Sequence, residues 1–251
     1  MLTRLRQFLR PSWRMLPAVP PGLRLYAIGD IHGRCDLLQR LLVRIAADAA
    51  GFSGRTHLVF LGDYIDRGLE SAGVIEYVLQ RLDLDAAPVF LKGNHEAALL
   101  DFLTDRTVGR NWLAFGGDAT LLSYGVPPDL VQRPGDYRAL QAALHQRLPP
   151  AHLAFLSGLR LQHHVGDYLF VHAGIRPGVA LERQSEADLL WIRDPFLQSR
   201  ARHGAMVVHG HSMTEWPDVR DNRIGIDTGA FATGRLTALV LEGQERRFLH
   251  T

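Results

Sequence analysis

The chain has 251 residues, enough to bury one large core or two smaller ones. Its 28 lysine and arginine residues nearly balance 26 aspartate and glutamate residues, so the net charge of +2 gives no indication of a nucleic-acid partner. Cys35 is the single cysteine, which excludes an intramolecular disulfide and a thiolate metal cluster.

Residues 1–22 combine arginines with scattered apolar residues and end in a Pro-rich stretch. They lack the apolar core and cleavage site of a signal peptide, and no other stretch is long and apolar enough to span a bilayer. We therefore expect an N-terminal extension with a Pro-rich linker over residues 1–22 and a single domain over residues 23–251. A cytoplasmic location without a membrane partner follows as the default. Because the linker would isolate the extension, deletion of residues 1–20 is expected to leave activity nearly unchanged.

Three strand–loop–helix units are predicted in the first hundred residues. The predicted strands cover residues 23–28, 58–61 and 88–91, and helical apolar spacing follows over residues 36–47, 71–82 and from about 94 to 102. Such a series indicates an α/β fold.

The second half of the chain is predicted to be richer in strands. Interrupted helices over about 104–150 precede a hairpin of residues 159–164 and 168–172. A short helix is predicted near residues 186–192, and closing strands are predicted at 206–208, 224–226, 236–241 and 247–250. This order predicts two mixed β-sheets packed as a sandwich and flanked by helices.

Polar side chains recur directly after the apolar strands. They are Asp30, His32, Asp63, Asn94, His95, His172 and His211. Carboxylate, imidazole and amide groups are ligands of borderline divalent metals. One such residue would be explained by turn capping, but the recurrence at five strand ends favours a metal centre.

Five motifs carry a resemblance to the phosphoprotein phosphatase family of calcineurin-like binuclear metallophosphoesterases. They are Gly29-Asp30-Ile31-His32-Gly33, Gly62-Asp63-Tyr64-Ile65-Asp66-Arg67-Gly68, Gly93-Asn94-His95-Glu96, His172-Ala173-Gly174 and Gly210-His211. Two further stretches, Trp191-Ile192-Arg193 and Ile226-Asp227-Thr228-Gly229-Ala230, resemble the bacterial and phage branch that includes lambda phosphatase. Most of residues 104–150 lie outside these motifs.

The resemblance implies a calcineurin-like fold and a site for two divalent metal ions, with Mn2+ expected and Fe or Zn as alternatives. Six residues would hold the ions: Asp30 and His32 on one, Asn94, His172 and His211 on the other, and Asp63 bridging both.

The resemblance also implies which residues handle the substrate. Arg67, Arg193 and Asn94 would contact phosphate oxygens, the arginines with their planar forks. His95 would protonate the leaving oxygen, and Asp66 would fix its tautomer and support its charged form.

Three further residues near the motifs are considered from their chemistry and their position in the sequence. Glu96 is expected to cap a helix N-terminus, His209 to be a core histidine, and Arg176 stays a candidate for substrate contact.

The implied activity is that of a metal-dependent phosphomonoester hydrolase. We expect a Ser/Thr or dual-specificity protein phosphatase that uses a metal-bridging hydroxide and has a phosphorylated protein or peptide as its partner. A dinucleoside polyphosphate hydrolase has the same metal core and stays open, as does a catalytically inactive interaction scaffold. A cyclic nucleotide phosphodiesterase is disfavoured, because Met213 stands where that group tends to place a histidine. The oligomeric state stays open.

Overall fold

The computed structural model describes residues 16–80, 88–132 and 137–251. Its strands, numbered in chain order, are Leu23–Ile28 (β1), Arg55–Phe60 (β2), Val89–Phe90 (β3), Gln162–Val165 (β4), Tyr168–Val171 (β5), Met206–His209 (β6), Asp218–Val219 (β7), Arg223–Gly225 (β8), Thr237–Glu242 (β9) and Glu245–His250 (β10).

The α-helices within these ranges are likewise numbered in chain order. They are Cys35–Ala49 (α1), Ser71–Gln80 (α2), Asn94–Thr104 (α3), Gly109–Trp112 (α4), Asp118–Ser123 (α5), Pro128–Val131 (α6), Tyr137–Arg147 (α7), Pro150–Ser157 (α8), Glu186–Trp191 (α9), Asp194–Leu197 (α10) and Ala230–Thr233 (α11). Short 3-10 turns cover Arg106–Val108 and Leu181–Arg183, and Leu113–Gly117 is a helical segment with a kink at Gly116. Among the described residues, no helix is long and apolar enough to cross a membrane.

The strands form two mixed sheets, in the order β10-β9-β1-β2-β3 and β4-β5-β6-β8-β7. In the first sheet β1, β2 and β3 are parallel and β9 runs antiparallel to β1. In the second sheet β5, β6 and β8 are parallel, and β4 and β7 lie antiparallel at the edges. The predicted α/β sandwich is confirmed.

The β1 strand shows how one sequence serves both faces of a sheet. Leu25 and Ala27 pack into the core between the sheets, whereas Tyr26 and Ile28 pack under the helices. Successive strand residues point to opposite faces, so a fully buried strand must be apolar throughout. Helices α9 and α10 cover the outer face of the second sheet in the same way.

Several boundaries differ from the sequence prediction. β2 begins at Arg55, three residues before the predicted start. The prediction missed these residues because the first half of the strand is at most partly buried and has no apolar run. The two-residue edge strand β7 was not predicted, since its length is too short for any periodicity. The hairpin of β4 and β5 is confirmed. Residues 81 and 82 of the predicted second helix lie outside the described residues.

The Pro-rich linker is a wrong interpretation for residues 17–19. Val19 is 2% exposed and belongs to the core between the sheets. Its N–H donates to the carbonyl of Gly243 at 3.0 Å, and Tyr168 Oη donates to the carbonyl of Pro17 at 3.1 Å. This segment is therefore part of the packed domain, although proline composition pointed to a spacer. Residues 1–15 lie outside the described residues.

Candidate active site

The loops after β1, β2, β3, β5 and β6 meet at one edge of the sandwich, as predicted for the carboxyl ends of parallel strands. Asp63 lies at their centre. Its Oδ2 is 3.5 Å from His32 Nε2 and 3.5 Å from His172 Nε2. Two groups of potential metal-ligating atoms therefore share Asp63: one with His32 and His95, and one with His172 and His211.

Asn94 joins the second group through its side-chain oxygen. Asn94 Oδ1 is 2.9 Å from His172 Nε2 and 2.9 Å from His211 Nδ1. The other ring nitrogen of His172 lies 2.9 Å from the carbonyl of Leu61, and that of His32 is bonded to Ile65. Such backbone contacts orient an imidazole and leave its second nitrogen free for a ligand.

The loops hold strained backbone at the site itself. His32, Asp63, Asp66, Arg67 and His211 have positive φ angles between 46° and 71°. Among the described non-glycine residues, these five alone have positive φ, and all belong to the predicted motifs. Such backbone costs on the order of 1–3 kcal/mol per residue, and its clustering is typical of functional sites.

Two glycines are required by close approach to the carboxylates. A Cβ on Gly93 would collide with Asp63 Oδ1, and a Cβ on Gly210 would collide with Asp30 Oδ1. The glycines in these motifs therefore let the loop backbones press against the acidic side chains.

The site buries an excess of negative charge. Asp30, Asp63 and Asp227 are each at most 3% exposed, and within the described chain none of them has a salt bridge to lysine or arginine. Burial, together with the charges of Asp227 and Asp63, raises the pKa of Asp30 well above its ordinary value. Burial likewise raises the pKa of Asp227 to about 6. Burying ionised carboxylates without a counter-charge costs free energy, so bound cations would stabilise this cluster.

The surrounding imidazoles are in the form that binds metal. Burial lowers the pKa of His32 to about 3 and that of His211 to about 2, and it also lowers the pKa of His172. Neutral imidazole is the ligating species.

The residues present fit a pair of divalent cations. Asp30 Oδ1 and His211 Nε2 are buried and have no hydrogen-bond partner among the described residues. Buried polar atoms are nearly always paired, so these two atoms are consistent with ligands. The oxygen and nitrogen donor set suits borderline divalent metals and does not by itself select one.

A second functional unit lies beside Asp63. His95 Nδ1 is 2.6 Å from Asp66 Oδ2, and its Nε2 lies 3.9 Å from Asp63 Oδ2. Burial acts to lower the pKa of His95, but the charges of Asp63 and Asp66 outweigh it and raise that pKa. Asp66 therefore holds Nδ1 and leaves Nε2 toward the candidate metal-ligand groups, which is the arrangement that a proton-donating role of His95 would require.

The two predicted phosphate-binding arginines are both exposed. The charge of Arg67 acts on the pKa values of His32 and His95, and that of Arg193 on those of His172 and His211. The arginines therefore lie near different ligand groups. The guanidinium of Arg67 stacks on the ring of Phe231 at 4.6 Å.

The remaining sequence assignments are resolved individually. Glu96 Oε2 accepts a hydrogen bond from Gly93 N at 2.9 Å, which confirms the helix cap. His209 is buried and its Nδ1 contacts the carbonyl of Gly210, as expected of a core histidine. Arg176 forms two hydrogen bonds with Asp188, so its guanidinium is already engaged by a carboxylate.

Sequence reasoning missed three residues of the site. Trp112 and Thr120 both donate to Asp66 and come from the helical stretch outside the motifs. Asp227 was noted within its motif but received no role, although its position directly after the strand predicted at residues 224–226 was an available signal. In the structure its charge contributes to the raised pKa of Asp30.

Comparison with known proteins identifies the family of the chain. The calcineurin-like phosphoesterase family matches residues 23–233. The chain belongs to this family. Serine/threonine-protein phosphatase 2 of Escherichia coli K12 is 30% identical over 223 residues, which are 85% of this chain and 90% of that protein.

Other relatives carry a different name. An asymmetrical bis(5'-nucleosyl)-tetraphosphatase, PrpE of Bacillus thuringiensis, is 27% identical over 230 residues, covering 84% of this chain and 88% of that protein. The crystal structure of a proposed diadenosine tetraphosphatase superposes with a TM-score of 0.58 at 22% identity, covering 94% of this chain and 98% of that one. The relatives therefore establish a metallophosphoesterase and leave its substrate open.

Proposed function

We propose that the protein is a metal-dependent phosphomonoesterase that acts on phosphoserine and phosphothreonine in proteins or peptides. The observation that carries this proposal is the buried pair of His95 and Asp66 beside the ligand groups. A serine or threonine alkoxide is a poor leaving group and needs a proton, whereas a phosphate leaving group does not. A positioned acid is therefore most valuable for alkyl phosphates.

In this proposal the metal ligands divide as the family resemblance implied. Asp30, His32 and Asp63 would hold one cation, and Asp63, Asn94, His172 and His211 would hold the other. When bound, the two cations supply Lewis acidity that activates water and neutralises phosphoryl oxygens. We infer Mn2+ as the working metal.

The chain's own side chains then act on the phosphate and the leaving oxygen. Arg67 and Arg193 bind phosphoryl oxygens from their separate sides of the site, and Asn94 assists through its amide. His95 donates the Nε2 proton to the leaving oxygen, while Asp66 accepts from Nδ1–H and stabilises the imidazolium. Cys35 is buried and takes no part, and a free buried thiol fits the cytoplasmic location that we infer.

The decisive experiment compares leaving groups. His95→Ala should lower kcat about 10²–10⁴-fold on a phosphoserine peptide, and far less on an aryl phosphate whose leaving group needs little protonation. His164→Ala, which removes an exposed histidine on β4, is the matched control and should change neither rate. Equal losses on both substrates would show that His95 is not the acid. Absence of turnover by the wild-type protein with Mn2+ would instead support an inactive scaffold.

A dinucleoside polyphosphate hydrolase is the second candidate, and two exposed aromatic side chains favour it. Phe115 and Trp191 are 46% and 42% exposed, and their ring centroids lie 6.3 Å apart. Each is 6.4 Å from a site histidine, Phe115 from His95 and Trp191 from His211. Exposed aromatic rings beside a phosphate site can stack on a nucleobase.

A comparison of kcat/KM on the two kinds of substrate separates the two candidate functions. We expect a higher kcat/KM on phosphoserine or phosphothreonine peptides than on diadenosine tetraphosphate under the same Mn2+. If the dinucleotide is turned over at least tenfold more efficiently, and Trp191→Ala abolishes that advantage, the nucleotide hydrolase is the correct assignment. Leu153→Ala, an exposed apolar residue on α8, is the control.

A further inference from the structure

Asp66 is fully buried and is held by more than its histidine. Its Oδ2 accepts from His95 Nδ1 at 2.6 Å and from Trp112 Nε1 at 3.0 Å. Its Oδ1 accepts from Thr120 Oγ1 at 2.6 Å. Both added donors come from the interrupted helices that carry no diagnostic motif. Burial raises the pKa of Asp66, and the three hydrogen bonds oppose that shift.

Thr120 also fixes the backbone of the same residue. Asp66 N donates to Thr120 Oγ1 at 2.9 Å and to Ser71 Oγ at 3.0 Å. The single hydroxyl proton of Thr120 goes to Asp66 Oδ1, so the Ser71 hydroxyl, 2.9 Å away, donates to Thr120. One buried hydroxyl therefore aligns both the side chain and the main chain of Asp66.

The segment between Trp112 and Thr120 also contacts the backbone of Arg67. The carbonyl of Gly116 accepts from Arg67 N at 3.1 Å. Gly116 has a φ of 104°, and a Cβ there would lie 2.7 Å from Arg67 N. Gly117 packs against the Trp112 ring, where a Cβ would lie 2.5 Å from a ring carbon. The helical path is therefore interrupted by a kink at Gly116, beside the backbone of Arg67.

We infer that the segment of residues 112–120 is a positioning element for the chemistry: Trp112 and Thr120 align the Asp66–His95 pair, and Gly116 fixes the backbone of Arg67. Phosphate contact and proton donation are thus set by one loop-and-helix segment outside the metal ligands. The inference rests on the proposed role of His95 as acid. Residues that orient metal-ligating side chains are typically worth about 10–100-fold in activity, and we expect a loss of the same order for the partners of Asp66.

The first test replaces the Thr120 hydroxyl. Thr120→Val keeps the shape and should lower kcat on a phosphoserine peptide about 10–100-fold, with KM within about twofold and a much smaller loss on an aryl phosphate. Thr120→Ser should restore most of the rate, and Trp112→Phe should show the same leaving-group dependence as Thr120→Val. Thr104→Val, an exposed threonine on α3, is the control and should be neutral. Equal losses on both substrates, or no loss, would overturn the inference.

A double variant makes the test independent of general destabilisation. In a His95→Ala background, Thr120→Val should reduce kcat little further, because both changes remove the same proton donation. Multiplicative losses would show a purely structural role for Thr120. If His95→Ala lacks leaving-group dependence, the proposed function fails; if it shows the dependence and Thr120→Val and Trp112→Phe do not, the inference alone fails.

The inferred role of the contact between Gly116 and the backbone of Arg67 is tested separately. Gly116→Ala should lower kcat/KM on peptide and aryl phosphate to the same extent, since Arg67 would contact the phosphate that both share. Gly125→Ala is the matched control, because Gly125 has a φ of 75° with open space around it. If both glycine variants lose activity equally, the effect is general strain and this arm of the inference is wrong.

Discussion

Glu96 Oε2 accepts a hydrogen bond of 2.9 Å from the backbone N–H of Asp63, 33 residues earlier in the chain. The same oxygen accepts from Gly93 N at 2.9 Å, and Oε1 accepts from Tyr64 N at 2.8 Å and Ile65 N at 3.3 Å. One buried carboxylate thus caps α3 and ties together the loops that carry Asp63 and Asn94. Both oxygens of Glu96 are therefore occupied by backbone N–H donors, and the side chain holds together the loops that carry candidate metal ligands.

Glu96→Gln should therefore be destabilising despite its small change in size. An amide has one accepting oxygen, so its NH2 group would face two buried N–H donors in either orientation. Each unsatisfied donor costs about 1–3 kcal/mol, and we expect the free energy of unfolding to fall by at least about 2 kcal/mol. Urea unfolding with Mn2+ present measures this. Glu182→Gln, an exposed control, should be neutral, and equal stabilities for the two variants would contradict the linking role.

Asp63→Asn should impair both metal positions, because Asp63 Oδ2 lies at the same 3.5 Å from His32 and from His172. We expect two divalent ions per wild-type chain by elemental analysis after Mn2+ loading. The variant should bind both ions more weakly, because it loses the shared negative charge. Asp101→Asn, an exposed residue of α3, is the control. A wild-type content of one ion, or loss of a single ion in the variant, would rule out a bridging role.

The loops that carry the candidate metal ligands could be predicted because each is a local pattern. Each candidate ligand follows its strand within a few residues, and parallel strands bring their carboxyl ends to one edge. The conformation of Asp63, with a φ of 51° after Gly62, is part of the same local motif. The calcineurin-like family match confirms the fold that these motifs implied.

The contacts of Asp66 with Trp112 and Thr120 could not be predicted in this way. Trp112 and Thr120 lie 46 and 54 residues from Asp66 in the sequence, and nothing local distinguishes them from other helical residues. Val19 was misjudged for a related reason. Its burial depends on partners such as Gly243 that are distant in the chain, whereas proline composition reports only local conformation.

Asp48 provides a test of pH dependence away from the metal ligands. Its carboxylate accepts hydrogen bonds from Arg247 and Tyr26, which join the end of α1 to β10 and β1. The hydrogen bond from Arg247 is the main cause that lowers the pKa of Asp48 below its ordinary value of 3.8. A lowered folded pKa means that this stabilisation is present above the unfolded value and is lost as the pH falls through the folded value.

Asp48→Asn should accordingly lower the free energy of unfolding by about 1 kcal/mol at pH 7. The difference from wild type should shrink below about pH 4 and vanish at lower pH, because both proteins are then uncharged at this position. Asp36→Asn removes an exposed pair within one turn and should have a smaller effect at every pH. A difference that grows on acidification would contradict the sign of the pKa shift.

The packed segment before β1 leads to the last prediction. Val19 contributes its side chain to the core between the sheets, and its N–H closes a hydrogen bond to Gly243. Val19→Ala removes two buried methyl groups and should lower the free energy of unfolding by roughly 2 kcal/mol, at about 0.8 kcal/mol for each buried carbon plus a cavity cost. Val43→Ala is the matched control, because Val43 is 71% exposed on α1. Deletion of residues 1–20 should then destabilise the domain, although the composition alone indicated an extension isolated by a linker. If the deletion and Val19→Ala both leave urea unfolding unchanged, residues 17–19 do not contribute to the stability of the fold.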